Sequence, residues 1–171
     1  MVRVCPELSH IKEDHLAIGF TKARSIKSTG LLASLTPLRF EEGKTVTSKK
    51  GYLYEIPELL VDGVPILYIL HFLYPRFIDL PMSNKVHTII HELWHISPHF
   101  NGDIRRFRGR TYAHSGRKSR FEEQVSSVVK AWFQKTNFDT SILALDSNGL
   151  KRSFGRVLGK RVSRPKLTRL P

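Results

Sequence analysis

One cysteine, Cys5, stands in a chain of 171 residues. A lone thiol closes no internal disulfide and supplies no Cys-rich zinc ribbon, so the fold must hold without cross-links, as expected of a chain kept in a reducing compartment. Acidic residues are also scarce, 15 against 28 Lys and Arg, which leaves a net charge of +13. Long apolar runs are missing as well. The start, Met1-Val2-Arg3-Val4-Cys5-Pro6-Glu7, carries no apolar stretch of signal-peptide length. The most apolar segment, 64–77, is too short for a membrane span and contains Pro65, His71, Pro75 and Arg76, so it reads as core strand. These absences point to a cytoplasmic protein with no membrane partner.

What is present suits one folded domain. Hydrophobic residues make up 40% and charged residues 25%, within the range of globular proteins, and 171 residues can bury a sizeable core but not two catalytic domains. The charge is concentrated. Segment 101–120 holds seven cations against Asp103, and segment 151–171 holds eight against none, so together they carry +14 and the rest of the chain −1. Residues 1–150 therefore read as the domain and 151–171, poor in apolar residues, as a basic and flexible tail.

Along the domain, strand-like segments come first. Leu16 to Phe20 is short and apolar, and Leu35 to Phe40 alternates, with Pro37 marking an edge or a bulge. Tyr52 to Ile56 is rich in aromatics. Asp62-Gly63 signals a turn, and the continuously apolar run Ile66 to Leu73 suggests a strand covered on both faces. Helical periodicity follows. Val86, Ile89, Ile90, Leu93 and Ile96 recur at spacings of three and four, with Ser83 as a plausible N-cap and Pro98 as a stop. A second helix is expected from Lys118 to Thr136, with Phe121, Val125, Val128, Val129, Trp132 and Phe133 on one face. Beyond Asn137 the pattern fades, and Asn148-Gly149 reads as a turn.

The first of these helices carries His91-Glu92-Leu93-Trp94-His95. Positions i and i+4 share a helix face, so both imidazoles can reach one metal ion, with Glu92 aimed at a water held there: the outline of a hydrolytic zinc site. In random order, eight His and nine Glu would produce this pattern roughly once in fifty such chains, so coincidence is the minor reading. His87, one turn earlier, reads as a bystander on the helix face.

A catalytic zinc takes three protein ligands and leaves one position open, so a third ligand is required. His99 follows Pro98 and should swing off the shared face. Glu122 and Glu123 could serve from the second helix, though first-turn acids need no further explanation. His114 fits best, in a loop bounded by Asn101-Gly102 and Ser115-Gly116 just ahead of that helix. Tyr112 and Arg110 lie near His114 as candidate oxyanion donors, and Asp103 could orient a ligand histidine from outside the coordination sphere or serve as a turn residue.

The pattern His91-Glu92-Leu93-Trp94-His95, a loop, then His114-Ser115-Gly116 and Phe121 before a helix resembles the zincin metallopeptidases of minimal size. It is most similar to the small metallopeptidases of phage, bacterial and archaeal genomes related to the SprT-like group, over roughly residues 35–135. The resemblance implies an α+β, zincin-like fold: a small mixed sheet, the H-E-x-x-H helix and a backing helix. It implies one Zn²⁺ per chain on His91, His95 and His114, Glu92 as general base in peptide-bond hydrolysis, a protein or peptide substrate, and an edge strand from the Ile66–Leu73 region or its neighbour along which substrate lies. SprT-like proteins often carry a Cys-rich ribbon that this chain lacks. Two other readings stand beside it: a nucleic-acid-associated protein with a structural or degenerate zinc site, binding nonspecifically through loop 101–120 and tail 151–171, and a metal hydrolase acting on a non-peptide bond.

Overall fold

The structure, a computed structural model, describes residues 1–23, 30–106, 118–137, 139–156 and 164–171. Its strands are β1 (Leu16–Lys22), β2 (Ala33–Pro37), β3 (Val46–Lys49), β4 (Tyr52–Glu55), β5 (Leu60–Val61), β6 (Val64–Pro65) and β7 (Tyr68–Tyr74). Four helices follow, α1 (Met82–Trp94), α2 (Lys118–Lys135), α3 (Ser141–Ala144) and α4 (Ser147–Phe154), and then β8 (Thr168–Arg169). The architecture is α+β, with a three-stranded sheet in the order β1-β7-β2, a second sheet β3-β4-β8 and the β5-β6 hairpin.

β7 is central because it is the chain's most apolar strand. β1 runs parallel to it and β2 antiparallel, with Leu70 opposite both Ile18 and Leu35. Alternation sends its even residues, Tyr68, Leu70 and Phe72, to one face and Ile69 to the other. The even face meets α1 through Val86, Ile90, Leu93 and Trp94, and α2 through Phe121, Val125, Val128 and Trp132, all buried in one core. Ile69 packs with Leu38 and Ile66 in a second, smaller cluster on the far side. Both faces are covered, as the unbroken apolar run suggests.

Several boundaries differ from expectation, each for a visible reason. β7 begins at Tyr68 because the N–H groups of Ile66 and Leu67 bond instead to the carbonyls of Leu59 and His15. β2 lies at 33–37, since past Leu38 the backbone turns away and the Arg39 N–H bonds to Gly102. α1 starts behind Pro81 rather than Ser83, whose hydroxyl bonds to Asn84 instead of capping. Asn148-Gly149 lies inside the first turn of α4, because the Asp146 carboxylate accepts the Gly149 N–H at 2.6 Å and caps a helix there. Two ordered elements also fall in residues 151–171, expected to form a flexible tail. They are the end of α4 and β8, which pairs with Tyr54 and Glu55 of β4 and sets the Arg169 guanidinium 3.5 Å from the Tyr52 ring centroid. Among the described residues no helix is long and apolar enough to cross a membrane.

Two charged side chains are buried among the described residues, Lys85 and Asp103. Lys85, in the first turns of α1, is 2% exposed and donates its ammonium to the carbonyls of Leu143 (2.9 Å) and Leu145 (2.6 Å). Burial pushes its pKa down, and Asp146 and Asp79 act against that. The contact ties the end of α3 to α1.

Candidate metal centre

Helix α1 carries His87 and His91 one turn apart, and His95 follows one turn later as the C-cap residue just past Trp94, its backbone still helical at φ −71°, ψ −15°. The Nε2 atoms of His91 and His95 lie 3.3 Å apart. Two Zn–N bonds of ~2.05 Å meeting at a tetrahedral angle place their nitrogens ~3.3 Å apart, so this separation fits a shared zinc ion. Two elements fix the rings in that pose. Phe121 of α2, fully buried, packs edge-on against His91 and stacked against His95, each at 5.0 Å between ring centroids. On the other side of His91, the Glu122 Oε1 stands 3.5 Å from Nδ1, while its Oε2 stands 3.6 Å from His87 Nε2. Glu122 thus meets the imidazole through the nitrogen opposite the one facing His95, the position from which a carboxylate orients a ligand histidine.

The end of α1 is fastened by Arg105. A helix leaves its last carbonyls without partners. Here the Arg105 backbone N–H bonds to the His95 carbonyl at 2.6 Å, and its Nε bonds to the Trp94 carbonyl at 2.8 Å. The guanidinium then lies 4.4 Å over the Trp94 ring. His95 is held by the residue that neutralises its helix terminus.

Glu92 faces a strand. At the two ends of β2 the Leu38 N–H bonds to the Leu67 carbonyl, just ahead of β7, and the Leu32 carbonyl accepts the Leu73 N–H, so by two-residue alternation the intervening odd residues turn their backbone groups outward. Leu35 is one of them, and its backbone N–H faces the Glu92 carboxylate. Burial raises the Glu92 pKa, and the Leu35 N–H opposes the rise. Pro37 belongs to the same outward set, where a missing N–H costs no ladder bond, so the proline marks the edge as the sequence suggests.

The other candidates divide. His114, Tyr112 and Arg110 lie outside the described residues. Among the described residues no group of three His, Cys, Asp or Glu gathers as a metal site. His99 is exposed beyond Pro98. Glu123 is exposed on α2, next to the engaged Glu122. Asp103, 5% exposed, is the knot of a turn: its carboxylate accepts the Glu42 and Ile104 N–H groups at 3.1 and 2.8 Å and a forked pair from Arg106 at 2.9 Å each. Its carbonyl accepts the Tyr68 hydroxyl, whose pKa burial pushes up to about 12. Asp103 therefore supports the loop that brings Arg105 to α1. Phe121 stands in the motif that the sequence shows, but its packing against both rings, like the capping by Arg105, was not legible there. Their only signal was position, Phe121 at the start of an apolar stripe and Arg105 in a run of cations. Comparison with family models, with curated proteins and with solved structures finds no match to this chain.

Proposed function

We propose that the chain is a zinc-dependent metallopeptidase of the zincin type. The observation that carries the reading is the His91–His95 nitrogen separation of 3.3 Å on a helix whose Glu92 touches the edge strand β2. His91 and His95 would hold the metal together with His114. When bound, zinc would supply a Lewis acid that polarises a carbonyl and lowers the pKa of a water.

The chain's own residues account for the rest. Glu92 takes the proton of the attacking water and returns it to the leaving amine, and the Leu35 N–H beside its carboxylate favours the ionised form that a base needs. Glu122 and Phe121 hold the His91 ring so that Nε2, not Nδ1, turns to the metal. The outward carbonyls of β2 can accept from an extended peptide lying along this edge beside the carboxylate, whereas the Leu35 N–H faces Glu92 and Pro37 has none to give. That geometry favours a peptide over a non-peptide substrate.

The test is metal analysis of purified protein with a peptide-library cleavage assay on the wild type and Glu92→Gln. The expected result is one zinc per chain in both and a cleavage rate about 10²–10⁴-fold lower in the variant. Undiminished cleavage by Glu92→Gln, or purified protein that takes up no zinc, would remove the proposal.

A further inference from the structure

At the edge of the main sheet away from Glu92, the helix-side face of β1 is uncovered. Register places Phe20 beside Phe72 and Lys22 beside Tyr74, and these four side chains point to the same side. Phe72 is buried, but Phe20 is 58% and Tyr74 44% exposed. Phe20 is backed by Phe72 at 5.9 Å between centroids, and Phe72 stacks on Phe77 at 4.1 Å, so the outer ring rests on a firm aromatic base. Helix α4 forms the opposite wall with Lys151 and, just past its end, Arg156. The groove between them has a volume of about 770 Å³, and none of the described residues lining it is acidic.

The charge of this groove follows from the sequence. The two longest stretches without Asp or Glu are 15–40 and 147–171, with four and eight cations respectively. β1 lies in the first and α4 in the second, so the fold brings the two acid-free stretches together here. The nearest acids on α4's side are already engaged, Asp146 accepting the Gly149 N–H and Asp79 the Ser147 N–H at 2.9 Å. In loop 101–120, by contrast, Arg105 is bound to the end of α1 and Arg106 to Asp103, so that loop has less free charge than its composition suggests.

We propose that this groove binds single-stranded nucleic acid, with Lys22, Lys151 and Arg156 on the phosphates and the exposed rings of Phe20 and Tyr74 stacking on bases. Cations alone would accept any polyanion. The rings select a strand whose bases are unpaired, because duplex bases offer no free face to stack on. The site lies across β7 from Glu92, so binding and metal chemistry can be separated.

The experiment titrates the full chain into a short fluorescein-labelled oligothymidylate and reads anisotropy between about 50 and 200 mM salt. Phe20→Ala and Tyr74→Ala should each weaken binding about tenfold. Lys22→Gln, Lys151→Gln and Arg156→Gln combined should flatten the salt slope by about 2, the value for three phosphates on a single strand. Phe20→Leu keeps apolar area without a stacking face and should behave like Phe20→Ala. Thermal unfolding and zinc content should match the wild type in all variants, because these side chains are exposed and remote from His91. Unchanged affinity on removal of the rings, equal affinity for the duplex of the same sequence, or equal displacement by polyglutamate or by anionic lipid vesicles would each overturn the proposal.

Discussion

Replacing Glu122 by Gln separates three roles that one carboxylate could play beside His91. The substitution keeps shape and removes the charge that faces Nδ1 at 3.5 Å. An ion pair at that distance with an effective dielectric of ~20 would be worth about 5 kcal/mol. That figure is an upper limit, because a neutral imidazole presents only a polarised N–H and the Glu122 side chain is 36% exposed. Exposed pairs typically contribute ~1 kcal/mol or less. Carboxylates that orient ligand histidines are worth roughly 10–100-fold in metal affinity. The low end applies here, about tenfold or ~1.4 kcal/mol, since the amide can still accept from Nδ1 through its oxygen. Competition titration against a chromophoric zinc chelator reads this directly, with Glu123→Gln as the control on the same helix turn. Affinity within twofold of wild type in Glu122→Gln would refute the orienting role, and loss of the zinc site altogether would make Glu122 a ligand.

His114→Ala should strip most zinc from the protein while His99→Ala should not, measured by metal content after dialysis; the reverse result would discard the assignment of the third ligand. Lys85→Met removes an ammonium that satisfies two partly buried carbonyls, each at the low end of about 1–3 kcal/mol because water can reach them, so a loss of roughly 1–2 kcal/mol in urea unfolding is expected after the apolar chain regains some burial; a loss below about 0.5 kcal/mol would show that the α3 end finds other partners. The pKa values of His10 and His71 are both lowered, by burial first and then by Arg105 and Arg164 respectively. Below the ordinary value of about 6.5 the unfolded chain then binds more protons than the folded one, so this part of the stability is present above that pH and is lost as pH falls towards the folded values. His71→Gln should make the acid-side decline shallower in unfolding titrations between pH 7 and 5; an unchanged slope would refute it.

The sequence disclosed what depends on local order. α1 and α2 announce themselves by apolar residues at three-to-four spacing, β7 by its unbroken apolar run, and the His91–Glu92–His95 cluster by the i, i+4 relation that any helix imposes. Pairing partners were out of reach, because which strand lies at the edge is decided by contacts distant in sequence. The edge beside Glu92 is β2, the neighbour of the 66–73 run, while that run itself is flanked by β1 and β2. Caps were misjudged where two local signals competed. Ser83 and Asn148-Gly149 each carry a favourable local tendency, but Pro81 and Asp146 hold the helix starts, and one residue's preference of ~1 kcal/mol is easily outweighed by the burial that fixes where a helix begins.

Formal charge was the least reliable guide to function, because composition counts a cation whether or not the fold uses it. Arg105 and Arg106 stand in a strongly basic loop, yet the first closes the carbonyl end of α1 over Trp94 and the second ties Asp103 and Glu41. Burial even lowers the Arg105 pKa, the reverse of what an outward-facing nucleic-acid contact would show. Part of the positive charge is therefore structural, holding the end of α1 and His95 in place. The cations left to meet a partner must be sought where no carboxylate or helix end claims them, and among the described residues α4 and the end of β1 meet that condition. The candidate metal centre and the groove proposed to take a partner stand at opposite edges of the β1-β7-β2 sheet, so substitutions at one should leave the other intact.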